Sequence, residues 1–225
     1  MSDEEWSTPS NGTALFLVEN WQSELNTRPI KSLWEWSNPE AVPVRISISG
    51  AAGTGKKRLA RDLSDELDIT AIESIERSVF KLGGKLNKGA EVMDEFMLFL
   101  AHLWEETEYM EFASAGSVID IVAYCHYIAA RSDDPRWKFL LRGLTNLANT
   151  YVNNQYTVFF YIPYKNKPRG DGIRSVDDKF QREIDRLIRH YLTAFDLDYF
   201  PITGTRDEKK ALALDYLESF GLEAG

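Results

Sequence analysis

VRISISGAAGTGKKRLARDLSDEL, residues 44–67, joins three kinds of sequence in one stretch. VRISIS (44–49) alternates apolar and small polar residues, which predicts a strand with one face in a core. KKRLARDLSDEL (56–67) spaces its leucines and alanine as one face of a helix does. Between them, Gly50, Ala51, Ala52, Gly53, Thr54, Gly55 and Lys56 fit the pattern G-x-x-x-x-G-K. Small residues let the backbone curl so that successive N–H groups point into one concavity, and the following helix N-terminus adds partial positive charge. The natural occupant of such a loop is an anion, and Lys56 is placed to reach the terminal phosphates of a nucleotide. A glycine-rich turn with a chance lysine is the competing reading; the strand-loop-helix context argues against it. The next position usually carries a hydroxyl that holds magnesium, but here it is Lys57. An ammonium cannot ligate a metal, so another group fills that place or metal-assisted chemistry is impaired. Lys57 can instead meet phosphate directly, and Arg58 adds a further positive charge.

Downstream of this stretch, short apolar runs alternate with long amphipathic segments, as a parallel sheet with crossover helices requires. Strands are predicted at 69–74 (ITAIES), 109–114 (YMEFAS), 157–163 (TVFFYIP) and 197–204 (LDYFPITG). Helices are predicted at 90–108, 118–130, 135–153, 176–195 and 205–220. The fold class is α/β with helices on both faces of the sheet. His102, His126 and His190 fall within helical segments and read as structural.

Upstream, residues 1–42 hold four of the six tryptophans, Trp6, Trp21, Trp34 and Trp36, and a short amphipathic stretch, ALFLVENWQSEL (14–25). They read as an N-terminal helical arm before a domain spanning 43–225. Its aromatics either pack on the domain's own surface or form a partner-binding arm. The 225 residues, 44% hydrophobic and 27% charged, suffice for one medium-sized core. A net charge of -9 and a pI of about 5.0 argue against a chain that holds DNA or RNA by many phosphate contacts, though not against a local basic pocket. Cys125 is the single cysteine, which excludes an intramolecular disulfide and fits a reducing cytoplasm. The acidic start MSDEEWSTPSNG does not read as a secretory leader, and no apolar run approaches the roughly 20 residues that span a bilayer, so the expectation is a chain neither secreted nor membrane-embedded.

GAAGTGKKRLA (50–60), IESIERSVFKLGG (72–84), SVIDIVAY (117–124), GDGIRSVDDKFQREID (170–185) and YFPITGTRDE (199–208) together resemble one lineage. It is the small-molecule kinase branch of the P-loop NTPases, especially the AAA-domain nucleoside or nucleotide kinase-like proteins common in bacteriophages. Ribosylnicotinamide kinase and thymidylate kinase are more distant relatives. The resemblance implies a five-stranded parallel sheet in order 2-3-1-4-5, ATP as the bound nucleotide with Mg2+ as its counter-ion, and the cytoplasm, that of the host for a phage-encoded chain, as its location. It also implies a small-molecule acceptor, and a homodimer through long apolar helices beside the third strand. A lid is implied at about 164–175, where Arg169 and Arg174 would close over the triphosphate; an exposed basic loop is the alternative. Arg206 is implied to stack on the adenine ring. Glu73 and Arg77 are implied on the acceptor side, although an ion pair four residues apart on a helix start explains them equally well.

The sequence departs from the lineage after the third strand. Relatives carry Asp-Arg-Ser ahead of an aspartate, whereas this chain reads Ser114-Ala115-Gly116-Ser117-Val118-Ile119-Asp120. Ala115 stands in place of the acid and Gly116 in place of the arginine. Asp120 remains as a catalytic candidate, or as a first-turn aspartate favoured by the helix dipole. Two readings follow: a phosphotransferase that moves the terminal phosphate of ATP onto a nucleoside, a nucleotide or a modified nucleobase, or a nucleotide-binding pseudokinase that engages a partner through its arm.

Overall fold

The computed structural model describes residues 43–73, 75, 90–165 and 177–221. The N-terminal arm, Arg77, most of the implied lid and with it Arg169 and Arg174 lie outside the described residues. The sheet is five-stranded and wholly parallel, in the order β2-β3-β1-β4-β5. Its strands are β1 (Arg45–Ser49), β2 (Thr70–Ile72), β3 (Phe112–Ser114), β4 (Val158–Tyr161) and β5 (Tyr199–Pro201). The helices are α1 (Lys56–Leu67), α2 (Val92–Thr107), α3 (Val118–Ala129), α4 (Pro135–Gln155), α5 (Asp178–Ala194) and α6 (Arg206–Ser219). This is the expected order and class.

The period-2 alternation of β1 and β4 sorts the core into two layers. Ile46, Ile48, Val158, Phe160 and Ile162 pack with Leu59, Ala60 and Leu63 of α1 and with Ala213 and Leu217 of α6. Phe159 and Tyr161 point to the other face, where α2 to α5 close a larger core around Phe99, Ile119, Leu144 and Ile184. Because β1 lies between β3 and β4, its C-terminal end opens between the ends of two neighbours, at Ser47↔Ser114 and Ser49↔Tyr161. In a doubly wound sheet that crevice is where ligands bind.

Several strands are shorter than their sequence pattern. Ile69 N–H returns to the Ser64 carbonyl at 3.3 Å, and Asp68 turns left-handed with φ 52°, so α1 ends there and β2 starts at Thr70. Tyr109 to Glu111 do not join β3: the Met110 carbonyl accepts from Arg45 Nε at 2.8 Å, and the Glu111 carboxylate accepts from Val44 N–H at 3.1 Å. Leu197 N–H closes on the Leu192 carbonyl at 3.1 Å to finish α5, which leaves only Tyr199–Pro201 for β5. No helix among the described residues is long and apolar enough to cross a membrane.

Leu63 is fully buried between α1 and the sheet. Leu63→Ala should lower the unfolding free energy by about 2–5 kcal/mol. Urea unfolding followed by circular dichroism would show it, and a loss under about 1 kcal/mol would mean that this layer is not closely packed.

Candidate functional site

The loop after β1 is shaped by close approach before any ligand enters. A Cβ on Gly50 would lie 2.6 Å from the Ile162 carbonyl oxygen, so only glycine lets β1 leave the sheet here. Gly55 then takes φ 102° as the N-cap of α1, a left-handed conformation with no side-chain cap. Gly50 N–H donates to Asp120 Oδ1 at 3.0 Å, and Ala52 N–H donates to Gln181 Oε1 at 3.0 Å. Thr54 Oγ1 donates to the Ala51 carbonyl at 3.0 Å, and Lys209 Nζ reaches from α6 to the Thr54 carbonyl at 2.8 Å. Lys56 folds back over the loop: its ammonium donates to the Gly50 carbonyl and, at 3.2 Å, to that of Ala51, and it lies 3.4 Å from Asp120 Oδ1. Carbonyls and one carboxylate thus hold the charge that phosphates attract.

Asp120 is the N3 residue of a capping box on α3. Its Oδ2 accepts from Ser117 N–H at 3.1 Å and from Ser117 Oγ at 3.2 Å, while Ser117 Oγ and Ser49 Oγ are 2.8 Å apart. The carboxylate therefore does two jobs, capping the start of α3 and holding the loop. Ala115 sits in the core layer with α1, and a Cβ on Gly116 would meet nothing within 4 Å. The space beside Gly116 is thus open, on the side where the resemblance implies an arginine.

Lys56, Ser117 and Asp120 also line a narrow cleft of about 30 Å³ with apolar Leu98 and Ile121 and with His102 and Tyr124. His102 Nε2 lies 2.9 Å from Glu106 Oε1. Glu106 is buried and accepts from the Tyr151 hydroxyl at 2.9 Å and from the Tyr156 hydroxyl at 2.7 Å. Burial pushes its carboxyl up, but His102 and the hydroxyls of Tyr156 and Ser114 outweigh that and hold it below the usual range. The same burial and the anion beside them raise both tyrosines. Sequence reading placed His102 among structural histidines; it is both anchored in this network and part of the cleft wall.

The remaining candidates lie around the loop. Lys57 Nζ is 3.9 Å from Glu73 Oε2, and Glu73 also receives the Arg61 guanidinium, with Nε at 2.7 Å. Glu73 follows β2 directly and its described partners are Arg61 and Lys57. Arg58 is exposed on the first turn of α1. Arg206 forks onto the Asp62 carboxylate, with Nε to Oδ2 at 2.9 Å, joining α6 to α1. That guanidinium holds the Asp62 carboxyl below the usual range. Lys209 is lowered by burial first, then by the charges of Lys165 and Arg58. Asp185 Oδ1 accepts from Tyr164 N–H at 2.9 Å and from the Tyr161 hydroxyl at 2.7 Å, which anchors the chain where the implied lid begins. Gln181 and Lys209 were missed in the sequence, because the loop atoms they bind are 129 and 155 residues away. Among the described residues no group of three or more His, Cys, Asp or Glu could hold a metal ion.

A family model described as an AAA domain matches residues 45–209. None of the curated proteins matches the sequence. Among solved structures, the fold is similar to that of NadR protein in complex with NR, at a TM-score of 0.66 and 16% identity, over 81% of this chain and 53% of that one. NadR protein in complex with NAD and AMP-PNP gives 0.64 and 14%, over 80% and 50%. The chain thus spans about half the length of NadR. Deoxyadenosine kinase from M. mycoides with bound dCTP gives 0.56 and 12%, over 78% of this chain and 100% of that one.

The Glu106 network makes stability depend on pH in a defined sense. A carboxyl held below its ordinary value contributes stability that is complete above about pH 5 and is lost as the pH falls through the lower folded value. Glu106→Gln should therefore cost about 2 kcal/mol at pH 7, with the gap to the native chain closing below about pH 4. Paired urea titrations across that range measure it; a gap that widens in acid would mean the wrong sign for the shift.

Proposed function

The chain belongs to the AAA-domain family whose model spans residues 45–209, and on that footing we propose that it is a nucleoside kinase-like P-loop phosphotransferase that moves the terminal phosphoryl group of ATP onto a nucleoside, a nucleotide or a modified nucleobase. The observation that carries this reading is the sharing of Lys56, Ser117 and Asp120 between the phosphate loop and the adjoining cleft. A phosphotransferase needs its donor phosphate and its acceptor side by side, with water kept out and positive charge fixed where charge moves. On this reading Gly50 to Gly55 cradle the phosphates. Lys56 leaves the carbonyls of Gly50 and Ala51 to follow the transferring group, and Asp120 holds the loop in register. Arg169 and Arg174 close from the lid, Arg58 adds charge at the helix start, and Arg206 flanks the nucleotide from its place on Asp62. Glu73 and Arg77 stand on the acceptor side, and His102 and Tyr124 line the cleft beside the loop, which at about 30 Å³ has to widen before it admits an acceptor.

A second reading is a protein that binds the nucleotide without transferring phosphate and engages a partner through residues 1–42. It is favoured by Ala115, which puts a methyl group into the core where relatives carry an acid.

Lys56→Ala should weaken ATP binding at least tenfold, as expected for the loss of about 1.4 kcal/mol or more of charge-assisted contact, in a chain that still folds but melts at a lower temperature because Asp120 loses its counter-charge. ADP formation should rise with one class of acceptor from a panel of nucleosides and nucleotides. ATP binding with no turnover across the panel would favour the second reading, and absence of ATP binding would remove both.

A further inference from the structure

Residue 57 is the second residue of α1, on the first turn out of the phosphate loop, where a hydroxyl would normally give its oxygen to magnesium. Magnesium demands near-octahedral oxygen donors and gives up its water reluctantly, so a site for it needs oxygens not already committed. The described residues around the loop do not offer that set. Asp120 is largely buried, with Oδ1 on Gly50 N–H and beside Lys56, and Oδ2 on Ser117. Ser117 Oγ is engaged with Ser49 Oγ and accepts from Ile119 N–H at 3.1 Å. Glu73 is held by Arg61 and Lys57. A divalent cation placed here would meet the Lys57 ammonium where it should meet a ligand.

We propose that Lys57 takes the place of the metal: its ammonium, standing on Glu73, bridges that carboxylate to the phosphates of the nucleotide, which binds without magnesium. The inference rests on the reading of the loop as a nucleotide site. In a metal-assisted loop the ion joins a protein carboxylate to the phosphate oxygens and neutralises them. Lys57 already has the first of these contacts, 3.9 Å from Glu73 Oε2, and a flexible four-carbon stem that can carry its charge toward the loop. Its neighbours supply the rest of the charge. Lys56, Lys57, Arg58 and Arg61 are four cations within six residues of α1, and Lys209 adds another from α6 at the Thr54 carbonyl. An unchelated triphosphate carries more negative charge than its magnesium complex, so a cationic helix start favours the unchelated form. Glu73 has a defined part here: it keeps the Lys57 ammonium beside the loop, as a metal's carboxylate ligand would keep the ion.

The test is calorimetric titration of the full chain with ATP, once in excess EDTA and once in millimolar magnesium. The native chain should give dissociation constants within about threefold of each other. Lys57→Arg should keep that independence. Lys57→Ser restores the usual hydroxyl and should bind at least about tenfold more weakly in EDTA, recovering when magnesium is added. Native binding that needs magnesium, or a Lys57→Ser chain that binds as tightly as the native one in EDTA, would overturn the proposal and leave the nucleotide site standing. If the native chain binds ATP in neither condition, the nucleotide site itself falls, and the proposal with it.

Discussion

One carboxylate holds the site together. Asp120 accepts from the first N–H of the phosphate loop and from Ser117, the N-cap of α3, so a single side chain ties the end of β1 to the segment that leaves β3. A carboxylate this deeply buried persists only with donors and a counter-charge around it, and Lys56 at 3.4 Å supplies the charge. Gln181 does the corresponding work from α5, taking Ala52 N–H on the β4 side. The central strand therefore delivers a loop braced from both neighbours, and its curvature does not wait for a ligand.

The two helical layers divide the remaining work. On one face α1 and α6 are locked by Arg206 on Asp62 and by Lys210 on Glu66, which fixes the cationic start of α1 against the loop. On the other, α2 and α3 form the wall of the cleft, and the buried Glu106 network ties α2 to α4 through two tyrosine hydroxyls. A polar cluster this enclosed gives α2 a specified position that apolar packing alone leaves looser. His102 belongs to both the cluster and the cleft, so the rigidity of one is passed to the wall of the other.

The parts legible in the sequence were those written in local pattern. β1, the loop and α1 follow one another within 24 residues, and strand alternation, glycine spacing and helical periodicity each act over a few neighbours. The strand order came from resemblance and is the order found. What stayed hidden was carried by long-range pairing. Nothing near Gln181 or Lys209 marks them as loop partners, and Arg206 gives no local sign of Asp62, 144 residues earlier. The ends of β2, β3 and β5 were misjudged for a related reason: apolar residues continue the pattern, while returning N–H groups and the Arg45 guanidinium take the backbone out of the ladder. Departures at positions 57 and 115 were visible at once, but their meaning was not. The structure gives Lys57 a carboxylate to stand on and sets Ala115 in the core.

Lys56 is held on its own loop by the Gly50 and Ala51 carbonyls, which a phosphate would displace. A crystal structure of the chain with ATP tests this most directly. The prediction is a triphosphate cradled by Gly50 to Lys56, with the Lys56 ammonium off the Gly50 and Ala51 carbonyls and on the terminal phosphates while Asp120 still holds Gly50 N–H. A nucleotide bound elsewhere, with Lys56 still folded on those carbonyls, would contradict it.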